Sequence, residues 1–165
     1  MSAQTGAQRA AVHQTLSRIL AEESRLLQEL EGILQHETAV VSGDDLEAIQ
    51  RIGDNRHRCV DQLTRLDRER ADTCRLLSFG NGVAALERLF EWADASRALH
   101  RQWQDNLGVA RRCKQLNDRN GTIVMAKLGR VQKLLAAMRG TSSPPVYNAH
   151  ASRYGALGSR NLGQA

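Results

Sequence analysis

VHQTLSRILAEESRLLQELEGILQHETAVV (residues 12–41) decides the fold. Its apolar side chains fall at Val12, Leu16, Ile19/Leu20, Leu26/Leu27, Leu30, Ile33/Leu34 and Val40/Val41, mostly three or four residues apart. That spacing lays one apolar stripe along a helix, predicted over about residues 8–41. Glu23 and Glu37 fall on or near the stripe, which predicts a loosely paired seam open to water at intervals instead of a deep core.

Outward from this helix, Ser42-Gly43-Asp44-Asp45 breaks the pattern, and Asp44 followed by Glu47 has the form of a capping box that opens a second helix. Leu46, Ile49, Ile52, Cys59/Val60, Leu63, Leu66 and Leu76/Leu77 carry the second stripe, with a polar gap at Asn55 to Arg58. The tight connection predicts an antiparallel hairpin whose two helices each span roughly 50 Å. Phe79-Gly80-Asn81-Gly82 is the next interruption.

From Val83 the helical spacing resumes through Leu86, Leu89/Phe90, Ala93, His100, Trp103, Leu107 and Ala110. It continues through Lys114, Asn117 and Gly121 to Val124, Leu128, Val131, Leu135 and Met138. An unbroken third helix of that length would span roughly 80 Å, too long for its partners. Either the chain bends at Gly108 or Gly121 into a fourth antiparallel segment, or its last turns project with an apolar face that the hairpin cannot cover. In both cases Asn117 to Met138 is the least covered apolar surface, of the kind that a helix-in-groove or coiled-coil partner uses. The predicted fold class is all-α: a long antiparallel helical hairpin plus a long third helix, a three- to four-helix bundle or coiled coil.

Composition agrees. Of 165 residues, 41% are hydrophobic and 25% charged but only 4% aromatic, a bias towards long helices. After Arg139 come both prolines, several glycines and serines and no acid, which predicts a disordered tail over residues 141–165 with Val146-Tyr147 as its first docking point. No secretory or membrane-spanning run of apolar residues is visible, so a cytoplasmic location without membrane insertion is expected. The net charge is +5, with Arg and Lys recurring from Arg9 to Arg160 among Asp and Glu, so the basic balance is read as solvated helix faces and not as a nucleic-acid site.

Nothing points to catalysis. The nucleophile elbow, phosphate loop, dinucleotide fingerprint and metalloprotease motif are all missing. His13, His36, His57, His100 and His150 lack metal-ligand spacing with each other or with Cys59, Cys74 and Cys113. The expectation is no enzyme activity, no cofactor and no metal, with the three cysteines as buried or half-buried free thiols. Asn120-Gly121-Thr122 has the form of a glycosylation acceptor that no secretory signal accompanies. Trp92 and Trp103, eleven residues apart on one predicted helix, are expected in the core. Asn117 and Asn120, polar amides near an apolar seam, serve either to fix register and meet a partner or to face solvent.

Leu116-Asn117-Asp118-Arg119-Asn120-Gly121, the amphipathic run ending Leu134 to Met138, a proline-containing spacer and Val146-Tyr147-Asn148-Ala149 together resemble the C-terminal half of the FlgN family of flagellar type III export chaperones. The order of elements resembles that family over most of the chain. The resemblance implies a helical chaperone domain over residues 1–140, ahead of the tail. It implies a chaperone, monomeric or weakly dimeric, that binds the hook–filament junction proteins FlgK and FlgL and delivers them to the export gate protein FlhA. It further implies that cargo lies along Asn117, Asn120, Ile123, Val124, Leu128, Val131 and Leu135, and that Tyr147 contacts the gate. The residues after Tyr147, Asn148-Ala149-His150-Ala151, depart from the family pattern, as does the basic balance. A structural coiled-coil adaptor and a basic nucleic-acid-binding helical protein are the alternative readings.

Overall fold

The computed structural model describes residues 2–43 and 45–139. Four helices and no strand are found among them: α1 (Ser2–Ser42), α2 (Leu46–Leu76), α3 (Val83–Ala93) and α4 (Ala98–Met138). The predicted tail, Tyr147 and the proposed Asp44 cap lie outside the described residues.

α1 is the spine. Leu16, Leu20, Leu27, Leu30, Leu34 and Val41 continue one 3–4 spacing along it, with Glu23 and Glu37 in the same register, and Ile19 and Leu26 widen the buried face; all are buried. α2 returns antiparallel along one flank of α1. Its first turn is capped by Asp45, whose carboxylate accepts from the Ala48 N–H at 2.9 Å. The cap therefore sits one residue later than the Asp44–Glu47 box expected from the sequence. α4 lies along the other flank, and the backbones of α2 and α4 stay apart, both joined to α1.

Because α2 ends beside the first half of α1, the chain must reverse before α4 can begin. Ser78 adopts a left-handed φ of 61°, and the N–H of Phe79 returns to the Cys74 carbonyl while that of Ser78 returns to Arg75, which closes the end of α2. Gly80 and Gly82, at φ 96° and 84°, complete the reversal where a side chain would be strained. α3 then closes that end of the bundle: Leu86, Leu89, Phe90 and Ala93 pack with Leu16, Leu20, Cys74, Leu99 and Trp103. A second cluster joins Ile19, Leu26, Leu30 and Leu34 of α1 with Cys59, Leu63 and Leu66 of α2 and Ala110 and Cys113 of α4.

The stretch from Val83 to Met138 is not one helix, and it bends at neither Gly108 nor Gly121. It breaks at 94–97. Asp94 ends α3 by donating its N–H to the Phe90 carbonyl, and its carboxylate accepts from the Ser96 N–H and hydroxyl and from the Leu99 N–H at 2.6–3.0 Å. Arg97 takes a left-handed φ of 60°, so the corner forms without glycine or proline. Trp92 and Trp103 thus belong to two helices. Trp103 is buried with its ring 5.8 Å from that of Phe90, while Trp92 is half-buried against Phe79 with the Arg9 guanidinium over its face.

Candidate functional site

The corner sets α4 running parallel to α1, not antiparallel, in a constant register. Asn106 Nδ2 donates to the Leu20 carbonyl at 2.9 Å, the Cys113 thiol to Leu27 at 3.6 Å, and Asn120 Nδ2 to Leu34 at 2.9 Å, each pair 86 residues apart. Donors seven residues apart on one helix meet carbonyls seven apart on the other, as a heptad register requires.

Two polar layers are built into this seam. In the first, Glu23 pairs with Arg70 of α2 at 2.6 Å and with Asn106 of α4; in the second, Glu37 pairs with Arg56 at 2.8 Å and accepts from Asn120 Nδ2 at 2.9 Å. The Thr38 hydroxyl reaches Asn120 Oδ1 at 2.7 Å. The layers are fourteen residues apart on all three helices, two heptads. Glu23 and Glu37 are buried, so the seam is closed at the places where water was expected; arginines from the polar gap and the last third of α2 supply the counter-charge. Burial raises the Glu23 pKa above its usual value, against the opposing pull of Arg70.

Cys59 and Cys113 are buried donors to the carbonyls of Leu26 and Leu27, and burial pushes their pKa values to about 11 and about 12. They stay protonated thiols, as read from their spacing. His100 is half-buried beside Trp103. Among the described residues no group of three or more His, Cys, Asp or Glu is placed to hold a metal ion.

The register also decides where α4 loses its partner. Position 127 is level with the end of α1, where the Lys127 ammonium donates to the Gly43 carbonyl. The turns after it run about 16 Å past the hairpin turn. There the apolar side chains are open: Leu128, Val131, Leu134, Leu135 and Met138, together with Met125 just before position 127, are between 42% and 84% exposed.

The residues singled out from the sequence therefore fall into two groups. Val124, Leu128, Val131 and Leu135 form one stripe, with Val124 half-buried at its root and Ile123 half-buried at its border. Asn117 and Asn120 are buried beneath α4 and face no solvent; Asn120 is wholly enclosed, and Asn117 Oδ1 finds no donor among the described residues. A feature that the stripes did not reveal is a cleft of about 330 Å³ between α2 and α4, floored by Glu23 and Leu27 and edged by Leu63, Arg70, Trp103 and Leu107. Trp103, Leu107 and Ala110 continue by 3–4 spacing through Lys114, Asn117 and Gly121 to Val124 and Leu128, so cleft wall and exposed stripe share one face of α4.

Such a surface presents apolar side chains at the 3–4 spacing of a helix-packing face. No helix among the described residues is long and apolar enough to cross a membrane. No curated protein and no solved structure matches the chain. A family model described as FlgN protein matches residues 12–155.

Proposed function

The chain belongs to the FlgN family, the flagellar export chaperones, and from that membership we propose that it binds FlgK and FlgL in the cytoplasm, keeps them from associating early and delivers them to FlhA. The observation that carries this reading is the exposed end of α4. Five large apolar side chains, Leu128, Val131, Leu134, Leu135 and Met138, stand there past the Lys127–Gly43 contact, with Met125 exposed just before it. Amphipathic helices of unassembled cargo would otherwise pair with each other, and burying them on Val124, Leu128, Val131 and Leu135, bordered by Ile123, removes both apolar faces from water. Asn120 serves from below by holding α4 on α1 through the Leu34 carbonyl and Glu37, with Asn117 buried beside it. Covering the six side chains contributes on the order of 10 kcal/mol, against association costs of roughly 4–15 kcal/mol. That balance suits a complex made to be released. We assign Tyr147 to the gate from the resemblance of Val146-Tyr147 to the family; the match to residues 12–155 includes it.

Replacing Val124, Leu128 and Val131 together with serine should weaken binding of FlgK and FlgL at least tenfold in calorimetry, while circular dichroism shows the helix content retained. Unchanged affinity in the folded triple variant would overturn the cargo assignment.

A further inference from the structure

The exposed stripe carries a charge that the rest of the chain lacks. Residues 119–165 hold seven Arg and Lys and no acid, whereas the preceding 118 hold 16 basic and 18 acidic side chains. Basic residues do recur throughout, but the acids that interleave with them stop at Asp118, so the whole positive excess lies at the C-terminal end. On the uncovered part of α4 it is borne by Lys127, Arg130, Lys133 and Arg139, the last three exposed. Helical spacing sets Lys127 along one border of the Val124–Leu128–Val131–Leu135 stripe, with Arg130 one step further back beside Leu134, and Arg139 along the other.

This arrangement discriminates among occupants. Two copies of the chain laid stripe to stripe would bring these cations together, with no acid in the segment to alternate with them. A bilayer surface is the partner of a helix whose polar face is densely charged, and the face opposite this stripe is Ala126, Gly129, Lys133 and Ala137, with Arg130 at its edge. The stripe also prolongs the 3–4 register by which Leu99, Asn106, Cys113 and Asn120 lie buried in the bundle, so its surface is spaced for the knobs of another helix.

We infer that the end of α4 accepts an amphipathic helix of another protein whose apolar stripe is bordered by Asp and Glu. The inference rests on the cargo reading above and adds the chemistry by which a cargo helix is recognised.

The test uses the full chain and three synthetic helical peptides with one apolar stripe, bordered by Glu, by Gln or by Lys. Each is titrated at about 50 mM and about 500 mM NaCl, on either side of the range where screening sets in. The Glu peptide should bind best and the Lys peptide worst, by roughly tenfold or more at low salt, with the gap closing at high salt. Arg130→Glu with Arg139→Glu should reverse the order. Equal binding of the three peptides, or an order unmoved by the double variant, overturns the inference. So does preference-free retention on phosphatidylserine vesicles, or a dimer through α4 that strengthens at low salt. FlgK and FlgL are titrated in parallel: their failure to bind while the peptide order holds would refute the cargo identity and support the charge rule.

Discussion

Asn117 and Asn120 are separated by three residues and have opposite standing. Asn120, itself wholly buried, donates to a backbone carbonyl and to the buried Glu37 carboxylate and accepts from the half-buried Thr38, in a layer that also holds Arg56. Removing it leaves a buried carboxylate short of a donor, and Asn120→Ala should cost about 2–3 kcal/mol. Asn117 leaves its own oxygen without a donor, so Asn117→Ala loses little that is satisfied and should change stability by less than about 1 kcal/mol. Urea denaturation of the two variants checks the contrast; equal losses would contradict it. The sequence marks both as amides near a seam but cannot separate them, because the deciding partner of Asn120 lies 83 residues away. The legible signal was the repeat: Glu23 and Glu37, Arg56 and Arg70, Asn106 and Asn120 all recur after fourteen residues.

At the scale of elements, α1 and α2 were readable because their stripes are built of leucine and isoleucine and end at glycine-containing breaks. The corner between α3 and α4 was not, because glycine is the louder signal. Gly108 lies inside an uninterrupted helix where an added Cβ would meet nothing within 4 Å, while the actual corner is made by an aspartate, a serine and a left-handed arginine. The Asp94 carboxylate accepts three hydrogen bonds, from the Ser96 hydroxyl, the Leu99 N–H and the Ser96 N–H, and its pKa is held down at about 2 against an ordinary 3.8. A depressed folded-state pKa stabilises only while the unfolded group would also be ionised, so this contribution is complete above about 4 and lost as pH falls towards 2. Glu23 acts with the opposite sign: its raised pKa makes its contribution complete below 4.5 and lost as pH climbs through the raised value. Asp94→Ala should cost about 1–2 kcal/mol at neutral pH and should flatten the fall in stability between pH 4 and 2. An acid limb identical to that of the parent would contradict this account of the corner.

Over the whole molecule, two helices of 41 residues lie parallel but out of step. The polar layers and the 86-residue register hold α4 so that its last turns pass the end of α1, and that offset creates the exposed stripe. The excess of apolar helix over available cover could be read from the sequence. Its cause could not, since parallel packing depends on the corner at 94–97 and on buried ion pairs hidden in a polar stretch of α2. The central claim is that this uncovered end is where cargo sits. Hydrogen exchange on the full chain, alone and with FlgK or FlgL, tests it most directly: protection should be gained over residues 121–138 and remain nearly constant in α2. Cargo bound with residues 121–138 exchanging as before, and new protection confined to other helices, would contradict it.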